Sequence, residues 1–183
     1  MPTFGDTNEY GAAVAPNNNM FAIKGSPDSN GTANSIFAYI RIDDSGDFKC
    51  ALYDENLDFI ASTEEKSLSY SAESVWVEFE FSEPKPSLTS GSDYYIITWC
   101  NTSDTKMRYT TDAWGEYIYT EIETYGTWPE SIPYGWDSTY EDFSLSTYCT
   151  YTESTGEGTL PRTGFHINKG GSGRNLVFIN KNK

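Results

Sequence analysis

The chain has 183 residues and a formal net charge of −15. A chain of this length is most simply one domain. Its negative charge repels phosphate backbones, which argues against nucleic acid as a partner and leaves neutral sugars, other proteins or cations. No apolar run is long enough to cross a membrane, and no basic, apolar leader follows Met1. The sequence therefore predicts neither a membrane span nor a secretory signal.

Aromatic residues make up 16% of the chain, with 14 Tyr and 10 Phe, and this composition favours pleated strands over helices. Short alternating runs separated by turn residues recur at intervals of about 8 to 12 residues, without helical periodicity. We expect an all-β fold, a two-sheet antiparallel β-sandwich of the jelly-roll type over residues 1–153. Residues 154–183 are expected to form a basic C-terminal extension with a β-hairpin.

In chain order, residues 35–42 predict a central strand, and the turn at 43–47 predicts a hairpin to the strand around Phe48. Residues 74–82 predict a strand with its apolar side chains inward and Trp76 toward water. Residues 93–100 predict a strand buried on both faces. Alternation over 142–151 predicts a long strand that closes a sheet.

The three cysteines, Cys50, Cys100 and Cys149, each fall within a predicted strand, in phase with apolar neighbours. This pattern favours three buried free thiols over a disulfide with one thiol left over.

Catalytic and metal-binding patterns are sparse. His166 is the only histidine, so catalytic triads and multi-histidine zinc sites lack residues, and we expect a protein that is not an enzyme. The acidic turn at Asp43, Asp44 and Asp47 offers oxygen ligands for structural calcium. Its spacing is not that of a calcium-binding loop, so a solvated turn is favoured and no cofactor is expected.

An aromatic loop with Pro129 and Pro133 precedes the closing strand. Aromatic rings stack on the apolar faces of sugars, while amides and carboxylates pair with hydroxyl groups. The predicted ligand-binding residues are Trp114, Trp128, Tyr134, Trp136, Asp112 and Asp137. The alternative is that Trp128 and Trp136 fold back to cap the open end of the sandwich.

The C-terminal region differs in charge from the rest. After Glu157 the chain carries five basic residues and no acidic one, whereas residues 1–157 carry 7 basic and 27 acidic residues, a net charge of −20. Opposite charges attract over a Debye length of about 10 Å at 0.1 M salt, so we expect this tail to dock on its own sandwich or on a neighbour and to allow oligomers. The predicted assembly residues are Arg162, Lys169, Arg174, Leu176 and Phe178.

Four stretches together resemble a family of short jelly-roll modules: TFGDT, KCALYDENLDFIAS, SGSDYYIITW and YGTWP…DFSLSTYCTYT. Such modules recur in environmental prokaryotic surface proteins and phage-associated proteins, and their architecture is similar to that of carbohydrate-binding modules. The resemblance covers Thr3 to Glu153 and implies a fold rather than an activity. The expected function is adhesion at a cell or virion surface through carbohydrate binding. The alternative is a structural or decoration subunit that contacts a neighbouring protein without binding a glycan.

Overall fold

A computed structural model describes residues 1–16, 18–111, 117–120, 125–132, 138–140 and 143–154, with the backbone alone for 117–120 and 138–140. Within these ranges every regular element is a strand. The strands are β1 (Thr3–Gly5), β2 (Ala12–Val14), β3 (Met20–Gly25), β4 (Gly31–Ile42), β5 (Ser45–Asp54), β6 (Phe59–Ser62), β7 (Lys66–Ser69), β8 (Val75–Glu80), β9 (Ser87–Leu88), β10 (Tyr94–Cys100), β11 (Thr105–Thr110), β12 (Tyr117–Thr120), β13 (Ser138–Tyr140), β14 (Ser144–Leu145) and β15 (Thr147–Glu153).

The strands form two antiparallel sheets, which confirms the predicted all-β architecture. The first sheet has the order β1-β15-β4-β11-β14, with β2 on β11 and with β8 and β9 on β4. The second sheet has the order β13-β12-β3-β10-β5-β6, with β7 on β5. Neither sheet closes into a barrel. In the described residues, no helix is long and apolar enough to span a membrane.

Strand β4 organises the first sheet because it has partners along both edges. β15 and then β11 pair along one edge, while β9 and β8 pair along the other. This confirms the predicted central strand, which is longer than expected because residues 31–34, assigned to a turn, also pair. Such a strand is surrounded by ladder hydrogen bonds on both sides, so its register fixes that of four other strands.

The main core lies between the two sheets. One face of each central strand supplies it: Ile36 and Ile40 from β4, Ile96 from β10 and Leu52 from β5 are all fully buried. The face of β10 that points away from this core is buried as well. A second apolar cluster covers it, and its fully or almost fully buried members include Met20, Ala22, Ala51, Tyr53, Ile97 and Trp99.

The predicted hairpin between residues 35–42 and the next strand is wrong. β4 belongs to the first sheet and β5 to the second, so the turn at Asp43 and Asp44 carries the chain across the core. Alternation specifies which side chains of a strand point inward, and two strands facing each other across a core alternate just as two paired strands do. Sequence alternation alone therefore cannot separate these arrangements.

Two further predictions need correction. Val75, expected inside, is 43% exposed because it lies at the start of β8, beyond the packed core. The predicted long strand over 142–151 is two strands, because the chain changes partner from β11 to β4 around Ser146. Its inward side chains, Leu145, Cys149 and Tyr151, are buried as predicted. The predicted C-terminal hairpin lies outside the described residues.

Gly31 allows the closest backbone approach in the β4–β15 pair. A Cβ at this position would overlap the carbonyl oxygen of Thr152 and lie 2.7 Å from Cδ2 of Tyr151. We expect Gly31→Ala to lower the free energy of unfolding by about 1 to 3 kcal/mol, because the backbone of both strands must shift. Chemical denaturation measures this change. The matched control is Gly11→Ala, where a Cβ would meet nothing within 4 Å, and equal losses in both variants would contradict the steric explanation.

All three cysteines are free and buried, as predicted. Burial raises the pKa of each thiol, and the neighbouring Cys149 thiol adds to the effect at Cys50. A thiol reagent attacks the thiolate, so the folded protein at pH 8 should remain unlabelled while the unfolded protein takes up three labels. Mass spectrometry after timed labelling counts the labels. Rapid modification of the native protein at any of the three positions would contradict burial.

Candidate functional site

Of the six predicted ligand-binding residues, the structure describes Trp128. Its side chain is half-buried and packs on the second apolar cluster, on the outer face of the second sheet. Trp128 therefore folds back, as the alternative prediction had it, but it covers a sheet face rather than the open end of the sandwich. Trp114, Tyr134, Trp136, Asp112 and Asp137 lie outside the described residues, as do the five predicted assembly residues.

The segment 125–132, here called the loop segment, is held on the sheet by hydrogen bonds at both ends. The Tyr53 hydroxyl donates to the carbonyl of Pro129 at 2.8 Å, and the Phe59 amide donates to that of Glu130 at 2.8 Å. The Ile132 amide donates to the carbonyl of Leu57 at 3.0 Å. The outer edge of the second sheet thus fixes the path of a segment that prolines exclude from regular pairing.

Three aromatic rings surround one ammonium group beneath the loop segment. Nζ of Lys49 lies 4.6 Å from the ring centroid of Trp99, 4.4 Å from that of Tyr125 and 5.3 Å from that of Trp128. It also donates a hydrogen bond to the carbonyl of Gly126. These four residues and Lys49 are called the lysine cage. An ammonium at such distances is attracted by the ring faces, and the attraction grows when water is excluded.

Burial and a neighbouring carboxylate have opposite effects on the pKa of the lysine in this cage. Lys49 is 8% exposed, and burial lowers the pKa of its ammonium while Glu65 opposes that change. The Tyr125 hydroxyl donates to Oε2 of Glu65 at 2.7 Å. Burial, followed by this hydrogen bond, raises the pKa of Tyr125. Glu65 therefore connects the cage to solvent and holds Tyr125 at its rim.

A polar cleft of about 450 Å³ opens next to the cage on the same sheet face. Its lining residues are Ser45, Gly46, Asp47, Ser67, Leu68, Ser69 and Asn101. Asp47 lies two residues before Lys49 on β5, and Asn101 lies two residues after Trp99, so both point to the same side as the cage. The cleft and the cage therefore lie side by side on one sheet face.

Hydrogen bonds fix the polar groups of this cleft. The Asp47 carboxylate accepts from Ser67 Oγ at 2.6 Å and from Asn101 Nδ2 at 2.9 Å, while the Asp47 amide donates to Asn101 Oδ1 at 2.9 Å. A carboxylate has about four lone-pair sites, so Asp47 keeps acceptor capacity beyond these two bonds. The cleft can therefore accept hydrogen bonds from a ligand at Asp47, and its serine hydroxyls can both donate and accept them.

The acidic turn does not bring its three carboxylates together. Asp43 accepts from Arg41 Nε at 2.8 Å, whereas Asp47 faces Ser67 and Asn101. Among the described residues, no three His, Cys, Asp or Glu side chains are grouped so that they could hold a metal ion. Asp43 and Asp47 instead pair with neighbouring side chains.

A second aromatic surface lies on the outer face of the first sheet. Phe37 and Tyr148 stack at 5.0 Å with an interplanar angle of 6°, and Trp76 contacts Tyr148 at 5.0 Å and Tyr39 at 5.2 Å. These four half-buried residues are called the aromatic ridge. Trp76 Nε1 donates to Oε1 of Glu9 at 3.0 Å, which places a carboxylate at the edge of the ridge.

Sequence reasoning missed most of these residues. It did not single out Lys49, and it placed Trp76 toward water. A usable signal was present, since Phe37, Tyr39, Trp76 and Tyr148 all alternate with inward residues. What the sequence lacked was the strand order, which brings three separate strands side by side.

In comparisons with known proteins, the sequence matches no protein-family model and no curated protein.

We expect Lys49→Ala to lower the free energy of unfolding by about 2 to 4 kcal/mol, because it removes a buried aliphatic stem and an ammonium held by three rings. Lys49→Met keeps the stem, so it should lose only about 1 kcal/mol, and the difference between the variants isolates the packing of the stem. Chemical denaturation provides both values.

Lys66→Ala is the matched control. Lys66 is also near a ring, with Nζ 5.9 Å from the Phe79 centroid, but its side chain is 34% exposed and pairs with Glu64 on the surface. Its loss should cost less than about 1 kcal/mol. If Lys49→Ala were as mild as this control, the lysine cage would not stabilise the loop segment.

Proposed function

We propose that this protein is a non-catalytic adhesion module that binds a neutral carbohydrate in the polar cleft, with Tyr125 and Trp128 forming its aromatic wall. The observation that carries the proposal is that the polar cleft lies beside the lysine cage on one sheet face. Asp47, Asn101 and the serines supply the hydrogen-bonding groups that sugar hydroxyls require, and half-buried rings lie next to them. The cleft volume of about 450 Å³ suits a small ligand.

The charge of the site restricts the ligand class. Asp47 lines the cleft, Glu65 accepts a hydrogen bond from Tyr125 beside it, and the nearby ammonium of Lys49 is enclosed by rings. Carboxylate, sulfate or phosphate groups on a polysaccharide would be repelled by these carboxylates and by the net charge of −15. A neutral glycan avoids this repulsion, and a cell or virion surface is where such a ligand is encountered.

We infer a jelly roll, because the chain repeatedly crosses between sheets: β3 to β4, β4 to β5, β7 to β8, β9 to β10 and β10 to β11 all change sheet. Crossovers of this kind are typical of sandwiches built from Greek keys. The resemblance to short jelly-roll modules agrees with this fold assignment.

A second function, as a structural or decoration subunit, is favoured by a different observation. The aromatic ridge is a contiguous, half-buried apolar surface on the opposite sheet, and surfaces of this kind commonly contact proteins. On this alternative the protein would attach to a neighbour through the ridge and retain no glycan.

The binding proposal predicts signal on an array of neutral glycans, followed by calorimetry with the best ligand. Trp128→Ala should weaken binding about tenfold or more, by loss of a stacked ring. Asn101→Ala should also weaken it, because the amide that orients Asp47 is lost. Thermal unfolding of each variant verifies that the fold persists.

Asn56→Ala is the matched control, since Asn56 is also an exposed asparagine of the second sheet but bonds only to Asp54. It should bind as the unchanged protein does. Absence of any retained neutral glycan, or equal binding by Asn101→Ala and Asn56→Ala, would reject the cleft as a glycan site and leave the structural role.

A further inference from the structure

The aromatic ridge has a geometry that suits a polypeptide better than a sugar. Phe37 and Tyr148 stack nearly parallel, so each covers one face of the other. Trp76 stands at 62° to Tyr148 and 38° to Tyr39. A sugar needs an open ring face, whereas apolar side chains pack equally well against ring edges and the grooves between them.

Carboxylates surround the ridge. Glu9 accepts from Trp76, and Glu78 lies opposite Phe37 in the β4–β8 pair, where it accepts from Ser35 Oγ at 2.7 Å. Glu80 follows on the same face of β8. All three glutamates are exposed. The basic side chains of this face have other partners: Arg108 donates to Ser74 Oγ at 2.6 Å and to the carbonyl of Gly11 at 2.9 Å, and Arg41 and Lys106 pair with Asp43.

The chain itself contains a segment of matching chemistry. Residues 158–183 carry five basic residues and no acidic one, with the apolar run Leu176 to Ile179 among them. The segment leaves the described structure just after Ser154, whose amide is fixed by a 2.8 Å hydrogen bond to the carbonyl of Asn30. The exit thus lies at the end of β15, the strand that carries Tyr148.

The distance to the ridge is within reach of this segment. Tyr148 lies six residues before Ser154, or about 20 Å along an extended strand. The 29 residues after Ser154 (183 minus 154) could extend several times that distance. Attachment to the same molecule also raises the effective concentration of the segment at the ridge to about the millimolar range, above that of any neighbour in dilute solution.

We propose that residues 158–183 dock on the aromatic ridge of their own chain. The apolar side chains of the segment cover the four rings, and its lysines and arginines lie next to Glu9, Glu78 and Glu80. Docking covers an apolar surface that would otherwise be open to other proteins. This role is independent of the glycan cleft, which lies on the other sheet.

Zero-length carbodiimide cross-linking of the full chain tests the proposal, because it joins lysines only to carboxylates in direct contact. An equimolar mixture of unlabelled and ¹⁵N-labelled protein, analysed by mass spectrometry, separates links within a chain from links between chains. We expect Lys169, Lys181 or Lys183 to link to Glu9, Glu78 or Glu80, with both peptides carrying the same isotope. Links to carboxylates of the second sheet, such as Glu55 and Glu130, links between isotopes, or no links would each overturn docking on the own ridge.

Substitutions within the segment distinguish specific docking from general charge attraction without altering the sandwich. Leu176→Ser combined with Phe178→Ser should lower the yield of ridge links by about tenfold, since two buried apolar side chains are lost and every charge is kept. The matched control is Asn175→Ser with Asn180→Ser, which should leave the yield unchanged. Equal yields from the two double variants would overturn apolar packing on the ridge.

Discussion

Burial of β10 on both faces is the constraint on which this fold depends. All seven residues from Tyr94 to Cys100 are buried, and only one face of the strand can enter the core between the sheets. The outer face carries Trp99, which is 1% exposed and would place a large apolar area in water without a cover. The loop segment 125–132 supplies that cover, so the main role of its aromatic residues is to stabilise the fold. A ligand can contact only the part of these rings that packing leaves exposed.

Lys49 decides how that cover is positioned. Burying an ammonium costs several kcal/mol unless its lost hydration is replaced. Here the replacement is three ring faces, the carbonyl of Gly126 and a nearby carboxylate, Glu65. An apolar side chain would fill the same volume, but it would not bind a carbonyl on the loop. The cation therefore specifies the loop position, and this position holds Tyr125 within hydrogen-bond distance of Glu65.

Alternation of residue types predicted the strands well, because inward and outward positions differ in chemistry along a single element. The strand over residues 93–100, predicted from apolar residues on both of its faces, is confirmed as β10, and alternation also predicted the three buried cysteines and the all-β class. It failed where the answer depended on which strands are neighbours. The predicted β4–β5 hairpin was wrong for this reason. The cover over Lys49 could not be predicted from neighbouring residues either, because it includes Tyr125, which lies some 76 residues further along the chain. Of the predicted ligand residues, Trp128 alone lies in the described structure, and neither its stacking on Trp99 nor the adjoining cleft follows from local sequence.

The two outer faces use the same residue types with opposite consequences. On the second sheet, the rings enclose an ammonium of the chain itself and border a polar cleft, so hydrogen-bonding groups remain available beside an apolar wall. On the first sheet, the rings pack on one another and their polar partners lie at the margin, at Glu9 and Glu78. Aromatic content alone cannot distinguish a sugar-binding surface from a protein-binding one. Ring orientation and the position of polar groups distinguish the two kinds of surface. A sugar needs an open ring face with donors and acceptors close by, whereas a polypeptide needs a contiguous apolar area with charges at the edge.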